Sequence, residues 1–511
     1  KTHTLAERIC YAHERGVDYD DMLCLTFTNR ASREMLNRIN ARIDDPSVVD
    51  LQVGNVHRYC SKFLFDAEQV SADSSVIDDE EAVSIIADYM HEDDETVLGD
   101  WGRYRVYQEI IFFQHLMYQI EHNHPLRVYL HPESFNEDNR LGLKKICELQ
   151  KFELNTHSMV EIYHDAYNYI DDANAPHINR DIARKIRNVA LKMYYARMYE
   201  QYKQDNNMLD FEDLLLKTFD AYTEDKAKPE SERSLKYYHW IQVDEVQDLN
   251  EMQLAIIDLL TADKDYTVMY LGDEQQAIFS FMGAKMETLM ELRMRCKENI
   301  HHLTKNHRSP SYLLDVFNDY ASKTLKIKPD LLPTTDRIVK ATPNDLRIIA
   351  TTTIDNEIEK VAEIAGWLLK KYPDERTAVI VSSNRDADSI SDEMTRRQLS
   401  HFKVSGKDLF STNEMKLLLA HLNVVSNELN FISWARVLKG MKVFRTNSLA
   451  RRFLRKLKAL SLTPADFIDY EHSSYILEFI KAYQGGDVVV FDTETTGLDV
   501  FDDDIIEISA I

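Results

Sequence analysis

The chain has little that would cross-link or anchor it. Five cysteines (Cys10, Cys24, Cys60, Cys147 and Cys296) are scattered over 511 residues with no CxxC pair. That argues against a disulfide framework or a zinc ribbon and points to a reducing cytoplasm. No apolar run is long enough to span a bilayer, and no basic start with an apolar middle marks a secretory leader, so no membrane association is expected. Positive charge is also short: 61 Lys and Arg stand against 86 Asp and Glu, a net charge of −25. Nucleic-acid binding by bulk electrostatics is therefore disfavoured. A cleft that grips one strand with local cationic and aromatic groups is not. Repeats and low-complexity tracts are absent.

What is present reads as soluble and globular, 44% hydrophobic and 29% charged, with length for about three or four domains of ~150 residues. The acidic runs Asp78–Glu81 and Glu92–Glu95, and the histidines His122, His124, His131, His301 and His302, fit no metal-ligand spacing and read as solvated surface. Both ends read as cut. The chain opens on Lys1-Thr2 without a Met and closes on the apolar strand 505–511, so a fragment of a longer protein is expected.

A βα rhythm opens the chain: a helical pattern over 3–15, a buried strand over 22–27, an amphipathic helix over 31–43. Residues 80–205 turn helical. The rhythm resumes with strands at 240–243 and 266–271, and a second α/β unit is expected with strands at 346–351 and 377–381. From about 425 the chain is helical and basic. Gln484-Gly-Gly486 reads as a linker, and a new strand begins near 488.

The segment Ile241-Gln-Val-Asp-Glu-Val-Gln-Asp248 is the most informative. An apolar strand delivers Asp244 and Glu245 to its C-terminal edge, where ligands of parallel sheets bind. One carboxylate suits Mg²⁺, and the next suits a water poised for attack on a γ-phosphate. Lys1-Thr2 ahead of a helix matches the last two residues of a phosphate loop, without its glycines. In Leu271-Gly-Asp-Glu-Gln-Gln-Ala-Ile-Phe-Ser-Phe281, Gln276 is placed to touch a γ-phosphate and Phe281 to stack on a base. Thr304-Lys-Asn-His-Arg-Ser309 presents Arg308 in a polar turn, as an arginine finger requires.

In this order the segments resemble the UvrD/Rep/PcrA family of superfamily-one DNA helicases over about residues 1–450. Leu25-Thr-Phe-Thr-Asn-Arg-Ala31 and Val53-Gly-Asn-Val-His57 resemble its single-strand-binding segments. Leu209-Asp-Phe-Glu-Asp-Leu214 resembles the motif ahead of the acidic strand, and Asp244-Glu-Val-Gln-Asp248 its DExxQD signature. Val404–Phe410 with Glu414-Met-Lys416 resembles the second motor domain. The resemblance implies an α/β fold of two RecA-like P-loop domains with parallel sheets and helical insertions. It divides the chain into a first motor (1–80 and 205–295), an insertion (81–204), a second motor (296–425) and the start of a second insertion (426–484). It implies an ATP- and Mg²⁺-dependent helicase moving 3′ to 5′ on single-stranded and forked DNA, in repair or recombination.

Residue by residue, the resemblance implies that Lys1 and Thr2 bind ATP phosphates and metal, that Asp244 completes the Mg²⁺ site, and that Glu245 activates water. Gln247 and Gln276 couple nucleotide to DNA, and Arg308 is the finger. Phe27, Thr28, Asn29, His57 and Phe281 line the strand path. His307 replaces the Tyr that stacks on adenine, Met282 replaces an Arg that contacts DNA, and Asn55-Val56 replaces Thr-Phe.

Residues 487–511 resemble something else. Val488-Val-Val-Phe-Asp-Thr-Glu-Thr-Thr-Gly-Leu498 is similar to the first motif of DnaQ-like DEDD 3′–5′ exonucleases. Asp492 and Glu494 share one strand face and suit paired metal ions. Two other readings stand beside a helicase fused to a nuclease: an exonuclease whose motor only feeds strand, and an ATP-gated DNA clamp without unwinding.

Overall fold

The computed structural model describes residues 2–510 except 28, 44, 72–73, 93, 126–135, 175–177, 277–285, 404–411, 427, 468, 471–472, 487–488, 490 and 496–504; for Thr2, Asn29, Arg30, the strands after 490 and a few others it describes backbone only. The chain divides into two compact units, residues 1–82 with 102–406, and residues 83–101 with 407–511.

In the first unit, α1 (Thr2–His13), β1 (Met22–Thr26), α2 (Asn29–Asn40), β2 (Gln52–Asn55) and α3 (Val56–Asp66) follow in βα alternation. A short β3 (Ser75–Val76) comes next; α4 (Asp79–Tyr89) and α5 (Asp94–Gly99) then carry the chain through residues 83–101, which belong to the second unit. The helical stretch α6 (Trp101–Glu121), α7 (Glu137–Gln150), α8 (Thr156–His164) and α9 (Arg180–Asp205) leads to β4 (Met208–Leu209) and α10 (Phe211–Ala227). The sheet resumes with β5 (Trp240–Val243), α11 (Glu251–Leu260), β6 (Thr267–Tyr270) and α12 (Met286–Cys296).

Strands β2-β1-β5-β6 form one parallel sheet. β1 is buried at all five positions and β5 at all four, as a parallel sheet covered on both faces requires. Side chains alternate between two cores. Met22, Cys24 and Trp240 pack with Leu5 and Ile9 of α1 and Ile39 of α2. Leu23, Leu25, Ile241 and Val243 pack with Leu64, Leu214 and Ile256 of α3, α10 and α11. Each such Leu or Ile contributes about 1.5–3 kcal/mol by leaving water. Burial pushes the Cys24 and Cys60 thiols up to about 12, so these two are inert core residues.

The sequence starts these helices explicitly. Asn250 and Gln253 form a reciprocal capping box on α11, at 2.8 and 3.1 Å. Asp210 and Asp213 do the same on α10. Gly142 lets α7 lie against α9, since a Cβ there would sit 2.6 Å from the Lys185 carbonyl oxygen.

Residues 301–403 hold α13 (Ser311–Lys323), α14 (Ile354–Lys371) and α15 (Asn384–Arg396). Here one expectation is corrected. Segments 346–351 and 377–381 are not strands, and no sheet forms among the described residues of 301–403; there an isolated parallel bridge joins Lys305 and Thr334. Each segment still runs into a capped helix, through Thr353 and Ser383, so the strand-then-helix pattern is in the sequence. Lateral partners are what is missing. Ile348 and Ile380 are 101% and 93% exposed, and a parallel strand holds only when neighbours and helices cover it.

In the second unit, α16 (Asn413–Ser426), α17 (Phe431–Gly440) and α18 (Asn447–Lys458) share a core of Phe431, Trp434, Leu438, Leu454 and Leu457. The basic helix α18 is only partly solvated. Arg451 is buried and donates to the Ser84 carbonyl at 3.0 Å and to Asp94 at 3.4 Å, while Arg455 reaches Asp88 at 2.6 Å. Asp94, read as surface, is thus a buried ion-pair partner. After β7 (Asp469–Tyr470) and β8 (Ser473–Ser474), α19 (Tyr475–Gly485) runs into the expected linker at 484–486 and ends at Gly485, with Gly486 extended. β9 (Phe491–Thr495) and β10 (Ile505–Ala510) pair antiparallel. No helix among the described residues is long and apolar enough to cross a membrane.

Candidate active site at the C-terminal edge of the sheet

All four strands of the parallel sheet end on one edge, and sequence-distant polar residues meet there. Thr26 and Asn55 are paired ends of β1 and β2. Phe27 and His57 therefore leave adjacent strands within two residues of the ladder. Thr26 Oγ1 lies 2.6 Å from Ser32 Oγ, tying the strand end to α2. Asn55 caps α3 through the Arg58 N–H at 2.8 Å. His57 is edge-on to Phe211, ring centroids 6.2 Å apart. Burial holds its imidazole below the usual histidine range.

At the end of β5, Asp244 is 7% exposed. Its N–H donates to the Leu25 carbonyl at 2.8 Å and its Oδ1 accepts the Glu245 N–H at 3.0 Å. Glu245 adopts a left-handed backbone, φ 54° and ψ 45°, a conformation costing a non-glycine residue about 1–2 kcal/mol and typical of functional turns. The Gln247 Nε2 donates to the Glu245 carboxylate at 2.8 Å, and the Gln247 Oε1 accepts the Asp273 N–H at 3.0 Å. Asp273 then accepts from the Gln275 N–H at 3.0 Å and from Gln276 Nε2 at 2.7 Å. One chain of hydrogen bonds joins the ends of β5 and β6. Gly272 makes it possible: a Cβ there would lie 2.7 Å from Val246 Cγ2 and 2.9 Å from Gln247 Oε1.

Helix α1 is keyed to the same strand. The Arg8 guanidinium stacks over the Trp240 ring at 4.9 Å, and Gln242 Nε2 donates to the Leu5 carbonyl at 3.4 Å. Trp240, Gln242 and Asp244 step along one face of β5 as residues 8 and 5 step up α1. The next step of that register is the first turn of α1.

The edge thus gathers Phe27, His57, Asp244, Glu245, Gln247 and Gln276. His307 and Arg308 belong to another segment, an exposed turn in which the Asn306 side chain accepts the Arg308 and Ser309 N–H groups at 2.9 and 2.8 Å. Lys1, Thr28 and Phe281 lie outside the described residues, and the side chains of Thr2, Asn29, Asp492 and Glu494 are likewise not described.

A second polar cluster, behind the sheet edge, was missed from the sequence. Lys203 of α9 is buried, with Nζ 2.8 Å from Asp210 and 2.6 Å from Asp213. His115 Nε2 sits 2.9 Å from both Asp210 oxygens, and Tyr199 donates to Asp210 at 2.9 Å. Burial alone would raise the Asp210 carboxyl; the His115 and Lys203 cations outweigh it and hold it well below the usual range. His115, Asp210 and Asp213 have metal-ligand spacing, but the Lys203 ammonium sits where a cation would bind. The signal available in sequence was the Asp-x-x-Asp capping box; the lysine and histidine come from distant helices. His124, read as surface, is buried too, its Nε2 2.6 Å from Asp220.

Residues 1–297 match the UvrD/REP helicase N-terminal domain, and residues 301–487 match the UvrD-like helicase C-terminal domain. The chain belongs to the UvrD/REP helicase family. Similar UvrD-like relatives include the ATP-dependent DNA helicase PcrA of Staphylococcus aureus (strain Mu50), 24% identical over 457 residues, covering 86% of this chain and 52% of that protein. PcrA of Bacillus subtilis (strain 168) is 23% identical over 453 residues, with the same shares covered. The chain spans about half the length of the relatives it matches. Residues 488–511 lie beyond both UvrD-type matches.

Proposed function

We propose that this chain is the motor of an ATP-dependent DNA helicase that moves 3′ to 5′ on single-stranded DNA and opens forked duplex in cytoplasmic repair or recombination. Family membership supports the class of activity. The observation that carries the reading is the hydrogen-bonded edge at which Asp244, Glu245, Gln247 and Asp273 meet, on the strand that faces α1.

In this reading residues 1–80 and 205–295 form the first motor, 81–204 and 426–484 are insertions, and 296–425 is the second motor. Lys1 and Thr2 bind the ATP phosphates. The donor set fits a hard dication, since a carboxylate and a hydroxyl are the oxygen ligands Mg²⁺ prefers. Thr2 and Asp244 would hold Mg²⁺, which neutralises phosphate charge when bound. Glu245 takes the proton of the attacking water, and Gln247 keeps its carboxylate aimed. Gln276 faces the γ-phosphate, His307 stacks on the base, and Arg308 completes the charge stabilisation from the second motor. Phe27, Thr28, Asn29, His57 and Phe281 line the strand path.

Glu245→Gln in the full-length protein tests this. DNA-stimulated ATP turnover is expected to fall at least about a hundredfold while binding of a fluorescent ATP analogue persists. Turnover within a few-fold of wild type would reject the assignment.

A nuclease reading is favoured by one further observation: β9, which carries Asp492 and Glu494, is paired with β10 beyond the helicase matches. In this reading residues 487–511 begin a DnaQ-like exonuclease domain, with Asp492 and Glu494 as metal ligands. Asp492→Ala should abolish 3′–5′ degradation by the full-length protein, and unchanged degradation would remove the reading.

A further inference from the structure

Asp273 has no role in the chemistry described, yet it joins the Gln247 carboxamide to the Gln276 side chain, beside the backbone bond from the Val246 N–H to the Leu271 carbonyl at 3.0 Å. Its backbone N–H reaches Gln247 Oε1 at 3.0 Å. A backbone N–H can only donate, so it fixes the oxygen end of the Gln247 carboxamide and leaves the NH₂ end for Glu245, at 2.8 Å. Its carboxylate is spent on its own loop: Oδ1 accepts the Gln275 N–H at 3.0 Å and Oδ2 accepts Gln276 Nε2 at 2.7 Å. The loop is fastened further by Glu274, 2.5 Å from Arg293 of α12. Gln276 is exposed, so this bond to a carboxylate, and not packing, sets where its side chain rests.

We propose that Asp273 is a positioning residue that parks Gln276 against its own loop, so that Gln276 reaches a nucleotide phosphate only by giving up the Asp273 carboxylate. The proposal rests on the reading of Gln276 as the residue that meets the γ-phosphate. Parking makes ATP turnover wait for a second event at the same edge, strand binding, which must offset the lost bond.

Asp273→Asn separates this from a structural role. The Asn oxygen still accepts the Gln275 N–H, but its NH₂ group then opposes the NH₂ of Gln276 and the parking bond is lost. In the full-length protein, DNA-free ATP turnover should rise about tenfold, the low end for one hydrogen bond to a charged group, and the ratio of DNA-stimulated to DNA-free turnover should fall by a similar factor. KM for ATP should stay within about twofold. Asp273→Glu keeps the acceptor and should retain the wild-type ratio. The proposal is overturned if Asp273→Asn leaves the ratio unchanged, or lowers both rates together in step with a lowered Tm. Glu245→Gln, assayed alongside, tells the two failures apart. If it abolishes turnover and the Asp273→Asn ratio does not move, only the parking role is lost. If it leaves turnover intact, the motor assignment and the parking role fall together.

Discussion

Two carboxylate clusters lie in the same unit and are held in opposite ways. Asp210 and Asp213 are gripped by buried cations, Lys203 and His115. Asp244 and Glu245 are oriented by neutral donors, the Glu245 N–H and the Gln247 carboxamide. The first arrangement satisfies its charge internally and makes a clamp. The second fixes the direction of its carboxylates through a backbone N–H and a neutral carboxamide at the C-terminal edge of the sheet. The lesson is that an acidic pair in a sequence becomes a structural clamp where side chains from distant helices, here Lys203 and His115, close on it.

The largest effect separating the two is expected from Lys203→Met. It strips the buried carboxylates of their ammonium and should lower unfolding free energy by about 3–5 kcal/mol in urea denaturation. A loss under about 1 kcal/mol would mean the clamp behaves like a surface pair and the contrast fails. A smaller effect belongs to the open cluster. Gly272→Ala drives a methyl into Val246 and Gln247, costing about 1–3 kcal/mol, and should lower kcat by displacing the Gln247 carboxamide. Unchanged kcat would detach the β6 end from the chemistry.

The smallest effect is a pH dependence confined to the clamp. Burial works against a charged His115, but Asp210 outweighs it and the imidazole pKa is raised above 6.5. Its contribution is therefore complete below about pH 6.5 and is lost as pH rises through the folded-state value, with a slope of at most about 1.4 kcal/mol per pH unit. His115→Gln should flatten that part of the stability–pH profile. A slope that survives the substitution assigns the titration elsewhere.

Much of the first unit was legible in the sequence because local signals agreed. The apolar runs at 22–26 and 240–243 are buried on both faces, and the acidic signature follows directly on a strand. Asp273 was not legible, since its importance comes from the backbone N–H it offers to Gln247 rather than from its residue type. Arg451 and Asp94, 357 positions apart, and His124 with Asp220 carry no local pattern; each reads as solvated until the chain folds. The segments 346–351 and 377–381 failed for the opposite reason. Their composition is strand-like, but strand formation depends on neighbours that periodicity does not report.

Helix α9 runs unbroken for 26 residues, about 39 Å at 1.5 Å per residue. Its last turn carries Lys203, locked to the capping aspartates that start α10. Anything that pushes on the far end of this rod acts with a long moment arm, and the ionic joint at the near end delivers the torque to the residue after Asp210. That residue is Phe211, the ring lying edge-on to His57. One ionic joint thus ties a long helix to the rim of the sheet where its strands end.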